Sequence, residues 1–82
     1  MTYKYEWMGT IIEFTNQPTR CELKIDNKTQ DFYDGLFLKK ETCLKGKNDK
    51  GDIIEVKPKM GLLSGKATIY FNNKKIYTFN YM

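Results

Sequence analysis

Histidine is absent from this chain, serine occurs once, at Ser64, and arginine once, at Arg20. The commonest general base near neutral pH is therefore missing. The two cysteines, Cys21 and Cys43, stand 22 positions apart with no histidine to join them, so they cannot assemble a zinc site of four cysteines or of paired cysteines and histidines. No apolar run approaches the ~18 residues of a membrane span. No charged segment leading into an apolar one opens the sequence, so a cytoplasmic setting with both thiols reduced is expected. No linker, low-complexity tract or internal repeat interrupts the chain. Residues 1–82 are expected to form a single domain, with one modest core and no room for a second lobe.

What is present is aromatic side chains and lysine. One Trp, six Tyr and five Phe make up 15% of the chain, enough to dominate a small core or a recognition surface. The net charge is +4, and it is unevenly placed. Residues 1–38 carry four basic and six acidic groups, whereas 66–82 carry Lys66, Lys74 and Lys75 with no acid. A basic half attracts nucleic acid, an anionic surface or an acidic protein. The preference for Lys over Arg argues against bidentate base reading.

The dominant hydrophobic period is two, the signature of half-buried antiparallel strands. Over 20–26, Cys21, Leu23 and Ile25 point one way while Arg20, Glu22, Lys24 and Asp26 point the other. Cys21 is thus expected in the core. Turns are expected at 15–18 and 27–29. A long first strand over 3–14 changes phase between Tyr3, Tyr5, Trp7 and Ile12, Phe14, which reads as a bulge or bend at Gly9. Residues 31–40 read as strand, with a short helix within 34–45 as the alternative: Asp34 would cap it and Gly46 would stop it. A loop over 45–52, a short strand over 53–57 ended by Pro58, and a C-terminal hairpin over 66–82 complete the chain.

With Asn73 and Lys74 as turn residues, that hairpin has two apolar faces. Ala67, Ile69, Phe71, Ile76 and Thr78 form one; Thr68, Tyr70, Tyr77, Phe79 and Tyr81 form the other. The tyrosine face either packs under Tyr3, Tyr5 and Trp7 or serves as a contact surface beside the lysines.

Three tempting motifs fail on chemistry. The segment 61–68 has three residues between its glycines rather than four, and Ala67 follows Lys66 where a phosphate loop needs Ser or Thr. Aligning Gly51 with the invariant glycine of a calcium hand puts Lys50 and Lys57 where oxygen ligands belong. Asn27-Lys28-Thr29 has the form of a glycosylation acceptor and, without secretion, is only a turn.

The expected fold is mainly β, a small antiparallel barrel or a compact two-layer sheet of about six strands with a C-terminal hairpin, with α+β as the alternative. The expected function is a non-catalytic binding module with no metal or cofactor. Its recognition face comprises Lys66, Tyr70, Lys74, Lys75, Tyr77 and Tyr81, and its partner is an acidic one, preferably nucleic acid, because single-strand binders combine ring stacking with lysine–phosphate contacts. The alternative is a protein-binding inhibitor or adaptor, such as a phage or mobile-element accessory protein that blocks a host enzyme.

Overall fold

The computed structural model describes residues 2–17, 20–34, 43–60 and 65–81, with Lys59, Met60 and Tyr81 by backbone alone. Eight strands form two four-stranded antiparallel sheets, each a simple meander. The first sheet contains β1 (Thr2–Trp7), β2 (Thr10–Gln17), β3 (Arg20–Ile25) and β4 (Lys28–Asp34). The second contains β5 (Leu44–Lys47), β6 (Ile53–Met60), β7 (Gly65–Phe71) and β8 (Lys74–Tyr81). The two-layer expectation holds. The barrel does not, because neither sheet closes, and the strands number eight rather than about six.

The first extra strand comes from a turn hidden in the supposed bend. Met8 and Gly9 both adopt positive φ, 48° and 79°, which makes a two-residue hairpin whose twist suits the flanking strands. Trp7, Tyr5 and Tyr3 then lie directly opposite Thr10, Ile12 and Phe14, on one face. The phase change over 3–14 is therefore a chain reversal, not a bulge. Asp26 and Asn27 make the same kind of turn between β3 and β4, and Asn72 and Asn73 between β7 and β8. Both turns sit one residue earlier than their expected positions. Thr15, Asn16 and Gln17, expected in a turn, pair within β2; the connection at 18–19 lies outside the described residues.

The second extra strand is β5, in what reads as a loop. Lys45, Gly46 and Lys47 carry no apolar side chain, yet Leu44 anchors them in the core, 1% exposed. A bulge between Leu23 and Lys24 leaves Gln30 of β4 without a partner on β3. Its Oε1 instead accepts from Lys47 N at 3.3 Å, and Asp31 Oδ2 accepts from Lys45 N at 3.0 Å. Two side chains thus satisfy the free edge of β5 and draw the sheets together on this side. Gly46 lies directly beneath: a Cβ there would stand 2.4 Å from Gln30 Cβ and 2.9 Å from Ile25 Cδ1.

Asp34, Leu44 and Lys45 all lie in strands, and no helix occurs among the described residues; 35–42 lies outside them, so the expected strand over 31–40 is described only as far as Asp34. Strand β6 runs through Pro58 to Met60 instead of ending at Lys57. Because Asn72 N donates to Ile53 O, odd-numbered residues of β6 turn their amides toward β7. Pro58 therefore presents its ring nitrogen to the other side, beyond the end of β5, and β7 loses no hydrogen bond.

Between the sheets, alternate residues make one core: Ile12, Phe14, Cys21, Leu23 and Ile25 from the first, and Leu44, Ile54, Val56, Ala67 and Ile69 from the second, all at most 2% exposed. Cys21, as expected, is among them, and its Sγ lies 3.4 Å from Asn16 Oδ1. Burial pushes the Cys21 thiol up, which keeps it protonated.

Stability should respond at two positions. Met8 is 73% exposed in left-handed backbone, a region that costs an ordinary side chain about 1 kcal/mol. Met8→Asn should stabilise by about 0.5–1 kcal/mol, read as a higher urea midpoint at unchanged slope. Gly46→Ala should destabilise by about 1–3 kcal/mol through overpacking against Gln30 and Ile25, lowering the same midpoint.

Candidate functional site

The C-terminal hairpin decides which side chains share a face. Phe71 pairs with Lys74 and Tyr70 with Lys75, but Ile69 pairs with Tyr77, so Ile76 is an extra residue on β8. This bulge turns Tyr77 and Phe79 to the side of buried Ile69 and Ala67. The expected tyrosine face is accordingly split. Tyr70 points outward, whereas Tyr77 and Phe79 meet the first strand. Tyr77 stacks on Tyr5 with ring centroids 4.4 Å apart, and Phe79 stacks on Tyr3 at 4.8 Å. Packing under β1 is observed for Tyr77 and Phe79, and not for Thr68 or Tyr70. Tyr77 nevertheless stays 43% exposed, over a cleft of about 110 Å³ lined by Tyr3, Lys4, Tyr5, Tyr77 and Phe79.

The outward face of β5–β8 gathers the lysines. Lys45, Lys47, Lys57, Lys66 and Lys75 all alternate with core residues or stand opposite outward neighbours, and all are exposed. Glu55 is the one acid among the described outward positions of this sheet. Its Oε2 lies 3.3 Å from Cys43 Sγ; partial burial and this hydrogen bond push the Cys43 thiol up, leaving it a weak nucleophile. Two rows cross the face: Lys45, Glu55, Tyr70 and Lys75 in one, and Lys57, Thr68 and Thr78 in the next. Lys57 Nζ sits 4.6 Å from the centroid of the Tyr70 ring, a cation–π contact. The Thr68 and Thr78 hydroxyls are 3.2 Å apart.

The opposite outer face is balanced. Along β1–β4 the outward positions carry Lys4, Arg20 and Lys24 against Glu6, Glu13, Glu22 and Asp34. Arg20 there lies 4.2 Å from the centroid of exposed Phe32 and 3.8 Å from Asp34. The sandwich therefore carries an excess of positive charge on one side only.

Of the six expected site residues, Lys66, Tyr70 and Lys75 lie on the basic face. Lys74 is exposed beside the turn, opposite Phe71. Tyr77 belongs to the aromatic seam between β1 and β8, and Tyr81 is placed by backbone alone, opposite Gly65. Lys45, Lys47 and Lys57 join the face without having been singled out. A signal was present for Lys57, which follows Val56 in an alternating strand, and absent for Lys45 and Lys47, where Leu44 is the one apolar side chain of β5.

A polar network fixes the strand ends next to this face. Asn48 Nδ2 donates to buried Thr10 Oγ1 and to Asp52 Oδ2, both at 2.9 Å. Asn72 Nδ2 donates to Asp52 Oδ1 at 3.0 Å, and Asn72 Oδ1 accepts from Ile53 N. Three turns are thereby tied through one carboxylate. Among the described residues, no cluster of His, Cys, Asp or Glu could hold a metal ion, and no helix is long and apolar enough to cross a membrane. No protein-family model, curated protein or solved structure matches this chain.

The Asn48 and Asn72 amides hold the Asp52 carboxyl below its ordinary value of 3.8. A depressed carboxylate contributes stability above its unfolded-state pKa and loses it as pH falls through the folded value. Asp52→Asn should therefore be less stable than the wild type at pH 7, and the gap should narrow below pH 3.8, followed by thermal melts across pH.

Proposed function

We propose that this protein is a non-catalytic binding module that engages an acidic partner, nucleic acid by preference, through the outer face of β5–β8. The carrying observation is five exposed lysines facing one carboxylate on that sheet, against a balanced face on the other. Compact ammonium charges on flexible stems suit phosphates, which need no planar fork, and favour binding without base specificity. A cytoplasmic setting, in which Cys21 and exposed Cys43 remain thiols, fits this reading.

A second reading rests on a different observation. Tyr77, half exposed over the cleft between β1 and β8, gives an aromatic surface away from the lysines, of the kind favoured in protein interfaces. An inhibitor or adaptor would bind through that seam.

The two readings separate by mutation. Lys57→Glu, Lys66→Glu and Lys75→Glu together should lower affinity for a labelled mixed-sequence oligonucleotide by roughly two orders of magnitude or more, measured by fluorescence anisotropy. The fold should survive, since exposed substitutions each stay within about 0.5 kcal/mol. Unchanged binding by the triple variant would remove the basic face from consideration. A protein partner lost with Tyr77→Ala and retained by the triple variant would establish the seam instead.

A further inference from the structure

Four of the five lysines of the basic face fall on a line. Lys47 and Lys45 stand two positions apart on β5. Lys45 lies opposite Glu55, which makes Lys57 its diagonal neighbour on β6. Lys57 lies opposite Thr68, which makes Lys66 its diagonal neighbour on β7. Same-face residues two apart along a strand are separated by about 6.6 Å, and diagonal neighbours across strands by about 7–8 Å. Four exposed lysines thus climb one step at a time from β5 across β6 to β7, in a row roughly 20 Å long. Tyr70 and the Thr68 and Thr78 hydroxyls flank it, with Lys57 Nζ 4.6 Å from the Tyr70 ring centroid.

We infer that the row Lys47, Lys45, Lys57 and Lys66 is a track for the backbone of a single-stranded nucleic acid, one lysine to each successive phosphate. This rests on the reading of the outer face as a nucleic-acid surface and names which form of nucleic acid it takes.

Three features favour a single strand over a duplex. Four of the five charges make one row, with Lys75 to its side, whereas a duplex offers two phosphate ridges separated by grooves. The described part of the face is strand throughout, with no helix or projecting ribbon to enter a groove. A rod laid on such a surface meets it along one ridge, while a flexible strand follows a row of cations along its length. Tyr70 supplies the third feature. When Lys57 leaves the ring for a phosphate, the ring face is freed for a base, and stacking tolerates any sequence because every base has a π-face.

The test is anisotropy with fluorescein-labelled oligodeoxythymidine of about 12 nucleotides, within the span of small single-strand sites, and a duplex of equal length. Both are titrated at several salt concentrations. The single strand should bind more tightly than the duplex, with a log–log salt slope near 3, from four contacts at about 0.7 each. Lys57→Gln with Lys66→Gln should cut that slope to about half. Lys24→Gln with Lys28→Gln removes equal charge from the other sheet and should leave it unchanged, and Tyr70→Leu should lower affinity at constant slope. Circular dichroism verifies that each variant is folded. A duplex bound at least as tightly as the single strand overturns the track while the basic-face reading stands; equal slope changes in the two lysine pairs overturn both. Failure of both nucleic acids to bind overturns the reading beneath it as well.

Discussion

Neither sheet has a use for its apolar face without the other. Each contributes five of the ten hydrophobic side chains buried in the core. A four-stranded meander alone would leave Phe14, Leu23 or Ile54 in water at roughly 1.5–3 kcal/mol each. Mutual burial is thus the condition on which everything else rests. It sets the alternation along all eight strands, and through that alternation it dictates which residues are left to face solvent.

The two open sides of the sandwich are closed by different chemistry. Between β4 and β5 the join is polar and close: Gln30 and Asp31 reach the amides of Lys47 and Lys45, and Gly46 lets the backbone sit beneath a neighbouring side chain. Between β1 and β8 it is made of rings, Tyr5 on Tyr77 and Tyr3 on Phe79. Aromatic side chains span a wider gap than amides and tolerate partial exposure. The polar join needs one geometry, because each hydrogen bond is directional and Gly46 has no spare room. The aromatic join accepts small displacements, and it is where the cleft opens.

The sequence was readable where one face was plainly apolar and turns were plainly polar. Strand β3, with Cys21, Leu23 and Ile25 inward, follows its pattern residue by residue. Reading failed where two physical causes leave the same mark. A two-residue hairpin pairs odd with even positions, so the reversal at Met8 and Gly9 shifts the apolar parity as a bulge would. Met8 also lacks the Asn, Asp or Gly usual at that site. The converse error occurred at Ile76, where a true bulge passes unmarked and moves Tyr77 and Phe79 to the inner side. One extra residue therefore dissolved the expected tyrosine face. Strand β5 was missed because its stabilising partners, Gln30 and Asp31, act from another strand and leave no local signal.

The common face of the outward lysines has a physical reason, though only Lys66 and Lys75 of its members were expected. Lys45, Lys57 and Lys66 each adjoin a buried residue, Leu44, Val56 or Ala67, and alternation is the property that core burial enforces most strictly. Placing five like charges on one sheet costs little while each ammonium remains hydrated and separated by a cross-strand spacing, since exposed charges that far apart are weakly coupled in water. The inner face carries the stability, so the outer face is free to hold a charge pattern that folding does not require. Four of the five lysines are ordered along one diagonal, and the opposite sheet carries no such row. Lys57 rests its cation on the Tyr70 ring, 4.6 Å from the centroid, an interaction weaker than a charge-assisted contact with an anion.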